Sequence, residues 1–231
     1  MTKKMIILLS FFIVLIAGIA GYKYYSGYQL GKSLGKTMIY HGSNPDLLLK
    51  YFGNEKGKIS FMSKKGCGMF GSLAAYNPHP QMVEAALKAG ASYNINCSIK
   101  NGVTPLMAAS MYNSNPQIAL ILITTNANIN AVDAFGQTAL MAATANKTAS
   151  YDISRELIKA GADLNIADKL GHTALAYAAK YNKNPKLITL LVQAGANINA
   201  RDNKGQTALD IAYKYKAPQD VIDALLKAGA D

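Results

Sequence analysis

The chain has 231 residues, half of them hydrophobic, and a formal net charge of +11. That length holds one domain with an appendage, and the apolar content, biased to aliphatics and alanine, excludes a disordered chain and suits closely packed helices. The charge is uneven: residues 22–65 carry eight lysines against Asp46 and Glu55, whereas residues 66–231 carry fourteen basic against eleven acidic residues. A nucleic-acid binder needs its positive charge on the folded surface, so that class is excluded too.

Residues 1–28 read as a membrane anchor or signal segment. Lys3 and Lys4 precede Met5 to Gly21, a run whose single polar member is Ser10. The run is longer than the apolar part of a signal peptide, usually about 7 to 15 residues, and at about 1.5 Å per residue it reaches the lower limit of a spanning helix. An uncleaved single-pass anchor is therefore favoured over cleavage after Ala20. Tyr22, Tyr24, Tyr25 and Tyr28, with Lys23, follow as an aromatic and basic belt suited to a membrane interface. Lysines flank the run almost equally, and the short lysine-bearing tail favours an extracytoplasmic remainder in a bacterial envelope. Cleavage instead gives a periplasmic or secreted chain.

Gly27 to Ser33 departs from a phosphate loop, because only three residues separate Gly27 from Gly31 where four are needed. Gly27, Gly31 and Gly35 fall on one helical face and suit close packing. Within residues 29–65, Asn44 to Phe52 lies 35 residues before His79 to Leu87, and Gly53 to Lys65 reads as a lysine-rich loop, solvated or near anionic headgroups.

From residue 66 the chain repeats itself. Asp133-Ala-Phe-Gly-Gln-Thr-Ala-Leu140, Asp168-Lys-Leu-Gly-His-Thr-Ala-Leu175 and Asp202-Asn-Lys-Gly-Gln-Thr-Ala-Leu209 are near copies, preceded by the weaker Ile99-Lys-Asn-Gly-Val-Thr-Pro-Leu106. Gly102, Gly136, Gly171 and Gly205 are spaced by 34, 35 and 34 residues. Each copy is followed by an alanine-rich run and then an aliphatic run, as at Leu187 to Val192, and two units close on Ala160 to Asn165 and Ala194 to Asn199. Glycine permits the positive φ of a tight turn, and the following threonine can cap a helix. Each unit is thus a turn and two short helices, with an apolar side that only a stacked neighbour can bury. The aspartates read as local turn-formers.

This pattern resembles the ankyrin repeat, whose period is about 33 residues and whose Thr-Pro-Leu signature stands at Thr104 to Leu106. The resemblance implies an all-α ankyrin-repeat solenoid of stacked helix-turn-helix units with β-turn fingers, preceded here by a single N-terminal hydrophobic helix. About five repeats occupy residues 66–231, and residues 29–65 form a degenerate capping repeat and basic loop. The first clear repeat has an atypical finger, with Gly68 and Phe70 where threonine and leucine are expected.

Family likeness further implies partner binding through the finger tips and the first helices. Those positions are Lys100, Asn101 and Val103; Ala134, Phe135 and Gln137; Lys169, Leu170 and His172; and Asn203, Lys204 and Gln206. A second register holds Tyr76, Tyr112, Tyr181 and Tyr215, with Asn146 in the remaining repeat. Such a tyrosine ladder either lines a binding surface or packs over the following helix. His172 reads as a surface histidine, and no histidine pair has zinc-ligand spacing. Cys67 and Cys97, in adjacent fingers, form a disulfide in an oxidising compartment or remain thiols in a reducing one.

The residues therefore imply a membrane-tethered, non-catalytic protein-binding scaffold acting through its concave ankyrin surface. They imply no enzyme, no cofactor, no metal, no nucleic acid and no small-molecule substrate, and a protein partner of unknown identity. The alternative is a secreted or periplasmic inhibitor or immunity-type protein that blocks a toxin or enzyme.

Overall fold

The computed structural model describes residues 42–46, 68–88, 95–98, 100–146 and 148–230. The expected anchor at Met5 to Gly21, most of residues 29–65, and Cys67 lie outside the described residues. Among the described residues no helix is long and apolar enough to cross a membrane.

Those residues form ten α-helices and no strand. They are α1 (Gly68–Tyr76), α2 (Pro80–Lys88), α3 (Pro105–Tyr112), α4 (Pro116–Thr124), α5 (Ala139–Thr144), α6 (Ser150–Lys159), α7 (Ala174–Tyr181), α8 (Pro185–Gln193), α9 (Ala208–Lys214) and α10 (Gln219–Lys227). Local chemistry sets where they begin. Thr104, Thr138, Thr173 and Thr207 take extended backbone, and each Oγ1 accepts from the amide three residues on, at 3.3 to 3.5 Å. Asn115 and Asn184 cap α4 and α8 by accepting from the amide two residues on, each followed by a proline whose missing N–H costs nothing at the first helical position.

Helices pair within a unit, and units then stack. First helices pack on first helices (α1, α3, α5, α7, α9), and second helices on second helices (α2, α4, α6, α8, α10). The buried seam runs through Phe70, Leu106, Leu140, Leu175 and Leu209 on the first helices and Met82, Ile118, Ile153, Leu187 and Val221 on the second. Alanines such as Ala109, Ala143 and Ala178 are fully buried and let the helices approach closely.

Two polar ladders run beside this apolar seam. In the fingers, Asp133, Asp168 and Asp202 each accept from the amides two and four residues on, at 2.8 to 2.9 Å. The fingers are tied to one another by Ala134 N–H to Asn101 O (2.7 Å), Lys169 N–H to Phe135 O (2.9 Å) and Asn203 N–H to Leu170 O (3.0 Å). This close approach makes Gly171 irreplaceable twice over. Its φ is +84°, and a Cβ there would sit 2.7 Å from the Asn203 nitrogen.

At the ends of the first helices, buried asparagines staple each unit to the one before. The Asn113 amide donates to the carbonyls of Ala74 (2.8 Å) and Asn77 (2.9 Å), and Asn146 donates to those of Ser110 and Asn113 (both 3.0 Å). Asn182 donates to Thr144 O (3.0 Å) and Ser150 Oγ (2.9 Å). Upstream, Asn77 donates to Gly42 O at 3.0 Å, so the ladder continues into the described part of residues 29–65. The same asparagines accept from their own turns, as Asn113 Oδ1 does from Asn115 N–H at 2.8 Å.

Asn146 departs from the sequence expectation. Counted from Thr138 it occupies the tyrosine place, yet α5 ends early and Asn146 turns inward, 4% exposed, as the buried amide. No side chain then stands in the tyrosine register of that unit.

Candidate protein-binding surface

The fingers and the first helices enclose a groove. A hollow there of about 440 Å³ is walled by Tyr76, Met107, Met111 and Tyr112 on the helix side and by Val103 and Phe135 on the finger side. A larger hollow of about 620 Å³ lies on the other side of the stack, between α8 and α10. It is walled by Lys186, Lys227, Asp220 and Asp223 and holds no aromatic side chain. The groove is therefore the better candidate despite its smaller volume, because aromatic side chains supply contact area at low entropic cost.

The tyrosine register falls into two pairs, the first of which lines that hollow. Tyr76 and Tyr112 are 45% and 56% exposed and stack, ring centroids 5.6 Å apart. Tyr181 and Tyr215, about half exposed, are joined by Lys180, whose Nζ lies 4.7 Å and 4.6 Å from their ring centroids. Burial draws the Lys180 ammonium down, but its contacts with the hydroxyls of Tyr181 and Tyr215 outweigh that and hold it above the ordinary lysine value. Lys214 Nζ lies 5.9 Å from the Tyr215 ring and donates to Gln206 Oε1 at 2.9 Å. Between the two pairs lies the unit of the short α5, where the register position is held by the buried Asn146.

The finger residues divide into exposed and committed groups. Phe135 and Leu170 are 54% and 61% exposed, a fraction that leaves two large apolar surfaces in water at successive tips. Asn101, Ala134, Lys169 and Lys204 are also exposed, and Lys100 contributes the backbone of a 3-10 turn, Lys100–Gly102. Asn203 is partly committed, its amide donating to Lys169 O at 2.9 Å. Gln137 donates to the Tyr177 hydroxyl.

His172 is not the surface histidine the sequence suggests. Its ring is wedged between two largely buried carboxylates, Nδ1 3.5 Å from Asp168 Oδ2 and Nε2 3.4 Å from Asp202 Oδ2. Tyr177 completes the cluster, donating to Asp168 Oδ2 at 2.9 Å and meeting the His172 ring edge-on. Burial, and then the Asp168 carboxylate, push the Tyr177 hydroxyl well above the ordinary phenol range. Burial raises the Asp202 carboxyl, but the amides of Gln206 and Lys204, with His172, outweigh it and hold it below its usual value. The cluster joins two fingers; it presents no nucleophile, and among the described residues no group of acidic, histidine or cysteine side chains could hold a metal ion.

Sequence reasoning missed Met107, Met111, Tyr177 and Lys180. The residue seventh after the capping threonine is Met111, Ala145, Lys180 and Lys214 in successive units, a register that changes chemistry and so shows no period. The asparagine staple did leave a signal, since an asparagine follows Tyr76, Tyr112 and Tyr181.

No curated protein matches the chain in a sequence comparison. A family model described as ankyrin repeats (3 copies) matches residues 72–168 and 145–231, which together take in well over half of the sequence. With capped helix pairs, stacked fingers and that match in agreement, the chain belongs to the ankyrin-repeat family, a non-catalytic protein-interaction fold.

Proposed function

We propose that this protein is a membrane-tethered scaffold that binds another protein through the groove between its fingers and first helices. The observation that carries this reading is the set of exposed aromatic and apolar side chains at the finger tips and first-helix ends, Tyr76, Tyr112, Phe135, Leu170, Tyr181 and Tyr215, none less than 45% exposed, of which Tyr76, Tyr112 and Phe135 wall one hollow. Surfaces of that kind are covered by partners in soluble repeat arrays. Binding needs no chemistry beyond complementarity, since the finger and asparagine ladders hold the surface rigid before any partner arrives.

The tether rests on Met5 to Gly21 and the tyrosine belt behind it. Cys97 is engaged in a disulfide, and disulfides persist in oxidising compartments, which supports an extracytoplasmic array. Cys67 is the partner proposed for it, the chain holding two cysteines.

The test is affinity capture from detergent-solubilised membranes. The native chain is compared with one carrying Phe135→Ser, Leu170→Ser and Tyr181→Ser, after circular dichroism has shown both to be folded. A protein retained by the native chain alone supports the reading; equal retention by both removes the groove from it. The tether requires, separately, that the native chain stay in the membrane pellet after an alkaline wash.

A further inference from the structure

The groove changes character along its length, and the change specifies a ligand. In α3 the groove-facing register holds Met107 and Met111, and the adjoining finger adds Phe135. In α7 and α9 the Met111 place is taken by Lys180 and Lys214. Neither lysine has a carboxylate partner: the ion pairs among the described residues join Arg155 to Asp152 and Glu156, Lys159 to Glu156, and His172 to Asp168 and Asp202.

The acidic groups nearby are already committed. Asp168 and Asp202 face His172 and their own turn amides, and Asp210 Oδ2 accepts from the amide (2.8 Å) and hydroxyl (3.0 Å) of Thr207. The finger tips on this side add Lys169 and Lys204, both exposed. One end is thus walled mainly by apolar and aromatic side chains with no lysine, its carboxylate Asp133 being held by the amides of Phe135 and Gln137. The other offers ammonium groups beside tyrosine rings with no ion-pair partner among the described residues.

We propose that the groove takes an acidic peptide segment of a partner protein, with a large apolar side chain seated among Tyr76, Met111, Tyr112 and Phe135 and carboxylates seated against Lys180 and Lys214. The proposal rests on the groove being the binding surface. Carboxylates suit the site because the tyrosines and the Gln206 amide oxygen that meet these ammonium groups are neutral and leave their charge for a partner to balance. An opposite charge there gains a charge-assisted hydrogen bond without first breaking an internal ion pair. A basic segment would meet uncompensated like charge, so the same feature rejects wrong partners.

The test uses the full-length chain in detergent and a displayed library of random twelve-residue peptides. Peptides selected on the native chain are assayed against Lys180→Gln with Lys214→Gln, and against Tyr112→Ser with Phe135→Ser. Circular dichroism and the thermal midpoint confirm that each variant is folded. The expected result is enrichment of Asp or Glu beside an aromatic or large aliphatic residue. Binding should weaken roughly tenfold or more in each variant, and weaken again in the native chain when NaCl is raised from about 0.05 to 0.5 M.

Neutral or basic peptides that still depend on Tyr112 and Phe135 overturn the acidic assignment and leave the groove reading standing. Peptides indifferent to both variants overturn both. No enrichment overturns the peptide assignment. So does lysine-dependent binding of a twelve-nucleotide single strand or of phosphatidylglycerol vesicles in place of peptide, since the ligand class would then be different.

Discussion

The two halves of the array are built on one plan but held together differently. Around α1, α3 and α5 the units are stapled at the helix ends by Asn113 and Asn146, each giving two amide hydrogen bonds to buried carbonyls. Around α7 the Asn182 staple persists and a tie at the fingers is added, where His172 joins Asp168 to Asp202 and Tyr177 joins Asp168 to Gln137. At the last unit the asparagine place is taken by Lys216, in left-handed backbone at φ +54°, and the staple ends. The register beside the tyrosines differs as well, Met111 in the half without the histidine tie and Lys180 and Lys214 in the half with it. Repeating a fold thus fixes the backbone period while leaving each unit free in how it grips its neighbour and what it shows to solvent.

The largest loss of stability is expected at the fingers. Gly171→Ala combines left-handed backbone, costing about 1 to 2 kcal/mol, with a clash against the next finger, costing about 1 to 3 kcal/mol more. Urea denaturation should show a loss of about 3 kcal/mol. Gly205 has φ +74°, but nothing lies within 4 Å of the place a methyl group would take, so Gly205→Ala should lose only about 1 kcal/mol. Equal losses would mean that the finger approach carries no weight.

Next comes the helix-end staple. Asn113→Ala leaves the carbonyls of Ala74 and Asn77 buried without their donor, and about 2 kcal/mol should be lost. The damage should appear in hydrogen exchange as faster opening of α1 and α3, with α7 and α9 unaffected, as nearest-neighbour stacking requires.

Acid acts on the finger end. The folded-state carboxyl of Asp202 is held below its ordinary value, so its contribution is fully present above the unfolded carboxylate value of about 3.9. It is lost as pH falls through the lower folded value. Stability should therefore decline with acid below about pH 4, and Asp202→Asn should flatten that decline while keeping the turn amides satisfied. An unchanged slope in Asp202→Asn would place the acid sensitivity elsewhere.

The smallest effect concerns a hydroxyl. Ser154 in α6 is fully buried, and its Oγ has no hydrogen-bond partner. Ser154→Ala should leave the thermal midpoint unchanged or slightly raised, because an unsatisfied hydroxyl contributes no bond to lose.

How much was legible in the sequence follows from what repeats. The capping threonines, the turn aspartates and the leucines behind them recur at a near-constant interval, because each performs the same local task in every unit, and the structure places them as that pattern implies. The roles of Asn146, His172 and Tyr177 were not legible. Asn146 moves from the tyrosine place to the asparagine role because α5 ends early, a change of helix length that no spacing reveals. His172 reaches Asp202 of the next finger and Tyr177 reaches Gln137 of the one before, contacts set by stacking. For Phe135 and Leu170 the reading was direct, since an apolar residue at a turn tip has nothing within its own unit to cover it.

The most direct test of the groove as the interface is hydrogen exchange on the native chain, with and without the captured partner. A partner seated in the groove should add protection at the fingers and first helices, over residues 100–112, 133–145, 168–181 and 202–215, with little change in the second helices. Protection confined to α6, α8 and α10 would put the partner on the opposite face and contradict the groove as the binding surface.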